Sequence, residues 1–227
     1  MPRSPRVWFP GAWYHVMARG NNKGQVFFKE RDYLKYLRLL QDGTKRFEVK
    51  IHAYALLPNH IHLMIETREQ SISKFVQWTH TTYTGYVNFR YHRVGHLFQG
   101  RYKSILIDQD RYALVLNRYI HLNPVRANLV SDPASYPWTS YSAYLKPQLK
   151  SFVTTEWILN LISPCATDQI PLFRQFTMGS DPQAEIPELL SVGSDPMVYL
   201  KDPHGDGSAV PSDGRAGRLG PLPQGRQ

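Results

Sequence analysis

The sequence predicts an α+β domain, and three observations carry that expectation. Stretches with the two-residue alternation of strands and stretches with the i, i+3, i+4, i+7 spacing of helices follow one another. Their order is strand, helix, strand, strand, helix, strand, helix. Two of the strands are joined only by Pro58-Asn59, which makes them a tight antiparallel hairpin. Hydrophobic residues form 42% of the 227 positions, enough for one sizeable core.

Trp13 to Ala18 forms the first strand, its aromatic and β-branched residues following a Pro10-Gly11 break. Glu30 to Gln41 places Tyr33, Tyr36, Leu37 and Leu40 on one helical face, with Lys35 and Arg38 outside. Glu48 to Leu57 and the stretch from His60 to Glu66 are the hairpin strands. Ser71 is an N-cap for a long helix to about Arg90, with Ile72, Phe75, Val76, Thr79, Tyr83 and Tyr86 along one side. Tyr102 to Asp108 is a fourth strand. Asp110 opens a helix through Tyr112, Leu116, Tyr119, Ile120 and Asn123, with Pro124 as its stop. Ser131 to Leu145, rich in Pro, Ser, Tyr and Trp, reads as a strap that packs aromatics over the domain. Thr154 to Ile162 is a short helix with a capping-box-like start, and Leu172 to Thr177 adds another. From about Asp202 the chain is Gly, Pro, Ser, Asp and Arg without a sizeable apolar cluster, the composition of a disordered tail. The expected division is therefore 1–145 for the main domain, 146–200 for a helical extension and 201–227 for the tail.

Composition narrows the function. The formal net charge is +9 and the pI near 9.6, which favours a polyanionic partner, nucleic acid before membrane. The single cysteine, Cys165, excludes an intrachain disulfide framework and a Cys-rich zinc site. Met1-Pro-Arg-Ser-Pro-Arg carries positive charge with no apolar region behind it, unlike a secretory signal, and no apolar run reaches spanning length. The expectation is a cytoplasmic protein with no membrane partner.

Three stretches carry candidate chemistry. His60 and His62 lie two apart in a strand, so both imidazoles point to one face and can grip one divalent cation. Taken alone, the same spacing also suits a polar-lined core. Arg19-Gly20-Asn21-Asn22-Lys23-Gly24 is a loop whose cations can meet phosphate, or an ordinary solvated turn. In the segment from Asn88 to Lys103, Arg90, Arg93, Arg101 and Lys103 interleave with Phe89, Tyr91, Phe98 and Tyr102, a mixture suited to phosphate contact and base stacking. His92 and His96 are four apart, but Gly95 intervenes and no third ligand accompanies them, so they read as non-metal. Tyr119 and Asn123 share a helical face, where a tyrosine by itself reads as core.

Together these stretches resemble the REP-associated tyrosine transposases, a branch of the single-tyrosine HUH transposases. The resemblance rests on Tyr14-His-Val-Met-Ala-Arg-Gly-Asn-Asn, Leu57-Pro-Asn-His-Ile-His-Leu and Gly95-His-Leu-Phe-Gln-Gly-Arg-Tyr-Lys-Ser. It continues in Arg118-Tyr-Ile-His-Leu-Asn-Pro-Val-Arg-Ala127 and Tyr136-Pro-Trp-Thr-Ser-Tyr141. It covers roughly residues 10 to 145, in the family's order, and it reverses the local reading of Tyr119. The resemblance implies a ferredoxin-like antiparallel sheet with helices packed on its faces, His60 and His62 as metal ligands, Tyr119 as the nucleophile and Asn123 as a third metal-proximal group. It further implies Mg²⁺ or Mn²⁺, attack on single-stranded DNA to give a 5′-phosphotyrosine link and a free 3′-hydroxyl, and a REP-like hairpin substrate beside a short single-stranded guide. The candidate DNA contacts are Arg19, Asn21, Lys23, Arg101 and Lys103. Relatives work as dimers that exchange the tyrosine helix in some cases, so a homodimer acting at the nucleoid is also implied.

Two departures stand out. His121 occupies a position where relatives often carry an acidic residue, and beyond Leu145 the resemblance fades. Two competing readings follow from the residues: a domesticated hairpin-binding protein without catalysis, and a metal phosphodiesterase using water in place of Tyr119. The second lacks a visible general base and a third histidine.

Overall fold

A computed structural model describes residues 8–107 and 111–179. The expectations for the N-terminal six residues, for Asp110 as a helix start, for residues 180–200 of the extension and for the tail at 201–227 lie outside the described residues. Within them the strands are β1 (Trp13–Arg19), β2 (Lys50–Leu57), β3 (His60–Glu66) and β4 (Lys103–Ile107). The helices are α1 (Glu30–Phe47), α2 (Ile72–Arg90), α3 (Arg111–Arg126), α4 (Tyr141–Leu145), α5 (Glu156–Ile162) and α6 (Ala166–Met178). The sheet order is β2-β3-β1-β4 with every neighbouring pair antiparallel, the ferredoxin-like arrangement the resemblance implies.

Register assigns the faces. Directly opposed residues in antiparallel strands project to the same side. Met17 opposes His62, Arg19 opposes His60, and Lys103 opposes Met17. One face therefore carries His15, Met17 and Arg19 from β1, His60, His62 and Met64 from β3, and Lys103 from β4. The opposite face presents Tyr14, Val16, Ile61, Leu63 and Ile65, all buried, to the core shared with α1 and α2.

β2 joins this pattern through a bulge. Ile51 opposes Ile65 but Ala53 opposes Met64, so His52 is the extra residue. The bulge shifts side-chain parity and turns Ala53 and Ala55 onto the histidine face, beside Met64 and His62. Both alanines are fully buried, and α3 packs on this part of β2. His52 itself stacks on Trp13 at 3.8 Å between ring centroids and meets Glu66 at 2.9 Å.

Several boundaries differ from the sequence expectation. α1 runs on to Phe47 through Gly43, where a Cβ would stand 2.5 Å from Cε2 of Phe75. Gly43 is thus a close-approach site between α1 and α2 rather than a helix end. β2 starts at Lys50 instead of Glu48, because Glu48 adopts the left-handed conformation (φ 52) that ends α1. β4 begins at Lys103, one residue after the expected Tyr102. α3 does not stop at Pro124. Proline removes only its own N–H, and the turn beyond it closes through Ala127 N–H to the Asn123 carbonyl and Leu129 N–H to the Pro124 carbonyl. α5 starts at Glu156 and its N-cap, Thr155, makes no side-chain capping bond. α6 extends from Ala166 and takes Pro171 into its interior. The strap packs as expected: Tyr141 and Tyr144 are buried, Trp138 stacks on Tyr33 at 4.5 Å, and the Tyr136 hydroxyl donates to the Leu56 carbonyl.

Asp32 ties the start of α1 to the end of α2. Its carboxylate accepts from the backbone N–H of Phe28 (3.0 Å) and Lys29 (2.9 Å) and from the hydroxyls of Tyr86 (2.9 Å) and Tyr91 (2.7 Å). Burial pushes its pKa up, but the Tyr91, Lys29, Phe28 and Tyr86 hydrogen bonds outweigh that and hold it below the ordinary value. Its stabilising contribution is therefore complete above the unfolded carboxylate pKa of about 4 and is lost as pH falls through the lower folded value. Replacing Asp32 by Ala should cost about 2–3 kcal/mol at neutral pH, since charge-assisted hydrogen bonds are lost. Urea unfolding would measure it, and Asp32→Asn should weaken the acid dependence of the midpoint.

Candidate active site

The site is built where α3 crosses the histidine face. His60 and His62 sit at the start of β3 with ring centroids 5.1 Å apart and planes at 83°. The strand's two-residue repeat supplies the common direction. Asn59 completes the first imidazole: its Oδ1 lies 2.7 Å from His60 Nδ1. An amide oxygen only accepts, so His60 Nδ1 carries the proton and Nε2 keeps its lone pair. His62 Nδ1 lies 3.0 Å from Nε2 of His15, which reaches it from the neighbouring strand β1. One ring donates and the other accepts.

Electrostatics keep these imidazoles neutral. Burial lowers the pKa of His60, with the nearby Arg19 charge adding to it. Burial pushes His62 well below its ordinary value, reinforced by His15 and His60, and burial alone brings His15 down to about 3. Neutral imidazole is the form that ligates metals.

Tyr119 comes down from α3 onto the pair. Its ring stands edge-on to His62 at 5.6 Å and 82°, and to His15 at 6.0 Å and 77°. The guanidinium of Arg126, two helical turns further along α3, lies 5.0 Å from the Tyr119 ring centroid. Asn123 sits one turn on, and its Nδ2 donates to the Tyr119 carbonyl at 2.8 Å. That bond leaves Oδ1 as the atom of Asn123 suited to a cation. Burial raises the Tyr119 pKa, while the Arg126 charge and Asn123 pull it back.

The donors fit a divalent cation. Two neutral imidazoles share a face, one has its outer nitrogen fixed by Asn59, and an amide oxygen stands on the helix above. Among the described residues no group of three or more His, Cys, Asp or Glu could hold a metal, so a third ligand from the protein would be an amide such as Asn123. Such a set leaves open positions for phosphate oxygens and water.

His121 points elsewhere. Its Nε2 lies 2.7 Å from the Ser140 hydroxyl and its ring packs among Tyr141, Tyr144 and Phe173. The departure from the family pattern therefore falls on the strap and α6, away from the histidine pair. α6 is also tied to the residue before Tyr119: Arg118 Nε donates to the Thr177 carbonyl at 3.1 Å and its Nη2 to the Gly179 carbonyl.

The candidate DNA contacts fall into one rim. The chain from Arg19 to Gly24 is stitched to both flanks of the site. Asn21 N–H donates to the Leu97 carbonyl, Gln99 N–H to the Arg19 carbonyl and Gly20 N–H to the Asn59 carbonyl, each at 2.8 Å. Gly20 is required for this path, since a Cβ there would stand 1.9 Å from the Gly24 carbonyl oxygen. Asn22 and Lys23 both take left-handed φ values, 52 and 57, so the turn is made by these two residues rather than by the glycines. Arg19 spends two donors on Gln99 Oε1. Asn21, Lys23 and Arg101 are exposed, and Lys103 is half-buried on β4 on the histidine face.

His15 and Arg126 join the site through the tertiary structure. His15 lies inside the Tyr14-His-Val motif, but only the β1–β3 register brings it to His62. Arg126 is spaced at i+7 from Tyr119, which puts the two on one helical face.

Replacing Arg126 by Gln removes the positive charge beside Tyr119 and should raise the phenol pKa further. Site-resolved ¹³C NMR of the tyrosine rings, assigned with Tyr119→Phe, would read the shift. An unchanged or lower Tyr119 pKa would contradict the pairing.

The family described as "Transposase IS200 like" matches residues 9–123. Among solved structures, the REP-associated tyrosine transposase bound to a REP hairpin is similar at 16% identity and a TM-score of 0.56, over 68% of this chain and 92% of that one. A candidate transposase of Deinococcus radiodurans matches at 18% identity and a TM-score of 0.37, over 56% and 92%. The tRNA(His) guanylyltransferase of Saccharomyces cerevisiae matches at 9% identity and a TM-score of 0.42, over 79% and 85%. No curated protein matches. The first of these likenesses supports the fold. The family match spans half of the chain and contains His60, His62, Tyr119 and Asn123, and on that ground the chain belongs to the IS200-like transposase family.

Proposed function

We propose that this protein cleaves and rejoins single-stranded DNA beside a hairpin, with Tyr119 as the nucleophile. The observation that carries the reading is the edge-on approach of Tyr119 to His62 and His15, on the face where His60 and His62 stand together. His60, His62 and Asn123 would hold Mg²⁺ or Mn²⁺. Such a cation polarises a scissile phosphate and stabilises the charge that develops on in-line displacement.

The chain's own residues do the rest. The Tyr119 hydroxyl gives its proton to water and its oxygen attacks phosphorus, the bond to the 3′-oxygen breaks, and that oxygen takes a proton from water, so that a 5′-phosphotyrosine and a free 3′-hydroxyl result. A phenol with a pKa near 10 is a weak nucleophile at neutral pH, and burial makes it weaker. Arg126 offsets that by favouring the phenolate, both as attacking group and as leaving group in the reverse step. The covalent link conserves the phosphodiester energy, so attack by another 3′-hydroxyl rejoins strands without a nucleotide cofactor.

The rim of Arg19, Asn21, Lys23, Arg101 and Lys103 would track the DNA backbone. A net charge of +9 supports a polyanionic partner, and the similarity to a transposase seen with a REP hairpin supports a hairpin of that kind. We assign this activity to residues 1–145, with nucleoid DNA in the cytoplasm as substrate and a homodimer as the working form. No helix among the described residues is long and apolar enough to cross a membrane.

The test mixes the protein with single-stranded DNA carrying a hairpin, in Mn²⁺. A protein–DNA adduct stable to denaturant should form, fall by at least about 10³-fold in Tyr119→Phe, and require His60 and His62. An undiminished adduct in Tyr119→Phe would remove the nucleophile assignment. Free DNA ends without an adduct would favour water as the nucleophile. Hairpin binding with no cleavage in any metal would favour a domesticated binding protein. In binding assays, losing one of Lys23 or Arg101 should lower the salt slope by roughly 0.7 if it meets a single-strand phosphate.

A further inference from the structure

We propose that His15 is a positioning residue that sets the tautomer of His62, and that the two rings exchange tautomers when a cation binds. The inference rests on the metal reading above. His15 is completely buried on β1, and its Nε2 faces His62 Nδ1 at 3.0 Å. Its other ring nitrogen, Nδ1, is buried with no hydrogen-bond partner among the described residues.

Each neutral imidazole has one N–H and one lone pair, so the shared bond admits two arrangements. In the first, His15 Nε2–H donates to His62 Nδ1. His62 then carries its proton on Nε2 and cannot ligate through that atom, while the solitary His15 Nδ1 is only an unfilled lone pair. In the second, His62 Nδ1–H donates to His15 Nε2. His62 Nε2 is then free for a cation, and His15 Nδ1 becomes a buried N–H without an acceptor.

Buried N–H groups without partners are the rarer and costlier defect. The first arrangement is therefore preferred without metal, and cation binding at His62 Nε2 selects the second. No net proton is gained or lost by the pair: each ring exchanges the nitrogen that bears its hydrogen. His60 differs, because Asn59 Oδ1 holds its Nδ1–H whether metal is present or not. The two ligands are thus unequal, one preset and one switched. A histidine acting on a ligand histidine replaces the carboxylate or carbonyl that commonly fills this role.

The wild-type protein provides the first test, through ¹⁵N NMR of the labelled histidine rings with and without Zn²⁺ as a diamagnetic probe. Without metal, His62 should show a protonated Nε2 and His15 an unprotonated Nδ1. With Zn²⁺, His62 should show a protonated Nδ1 and His15 a protonated Nδ1. A His15 Nε2 that stays protonated in the zinc-loaded protein overturns the proposal, as does a His62 already protonated on Nδ1 without metal.

The second test measures Mn²⁺ affinity by electron paramagnetic resonance of the free ion. His15→Phe keeps a ring but offers no acceptor, and should bind about 10- to 100-fold more weakly. His15→Gln places an amide oxygen near the position of Nε2, accepts the His62 Nδ1–H without orphaning a buried N–H, and should bind at least as tightly as the wild type. Wild-type affinity in a folded His15→Phe overturns the proposal while leaving the metal site intact. Wild-type affinity in His62→Ala would instead show that the metal reading itself fails.

Discussion

The site depends on one packing event, the docking of α3 on the histidine face of the sheet. Tyr119 lies 104 positions along the chain from His15 (119 − 15), and the contacts that α3 makes with β2 and β3 bring the two rings to 6.0 Å. The approach is close because the bulge at His52 turns Ala53 and Ala55 toward the helix. Were β2 paired in regular register, with His52 opposite Met64, the parity would reverse there, and Tyr54 and Leu56 would stand under α3 instead. A larger side chain in that position would hold the helix away and separate the phenol from His62.

The remaining structure steadies that contact from both sides. Above, the strap fills the space behind α3 with Tyr141 and Tyr144, and His121 is absorbed into this packing through Ser140. Arg118 fixes the last carbonyls of α6 to the residue before Tyr119, in the manner of a basic cap at a helix C-terminus. Residues after 145 thus have a physical connection to the tyrosine helix, although the resemblance to the family fades there. Below, the sheet supplies rigidity: β3 is a central strand, paired on both edges, so neither histidine ligand candidate rests on a loop.

The site also combines opposing electrostatic demands. Burial keeps His15, His60 and His62 neutral, as ligand chemistry needs, but the same burial raises the Tyr119 pKa and weakens the proposed nucleophile. Arg126 addresses the second demand without disturbing the first, because it acts on the tyrosine face from α3. Arg19 does the reverse for His60: its charge discourages protonation of the imidazole while its guanidinium rests on Gln99. Cations on this face therefore tune the side chains, and under the proposed function they would also meet a polyanion.

The element order, the hairpin at Pro58-Asn59, the common direction of His60 and His62, and the shared helical face of Tyr119 and Asn123 are legible in the sequence. These are local properties, set by the two-residue and 3.6-residue periods and by turn chemistry. Helix ends were less legible. Pro124 reads as a stop, yet proline removes only one donor, and α1 runs past the expected Gln41 through Gly43, where α2 needs a small residue. Strand pairing in three dimensions places β1 between β3 and β4, so that His15 meets His62, and a bulge opens room for α3. Register and parity are properties of pairs of strands, and no single stretch of chain carries them.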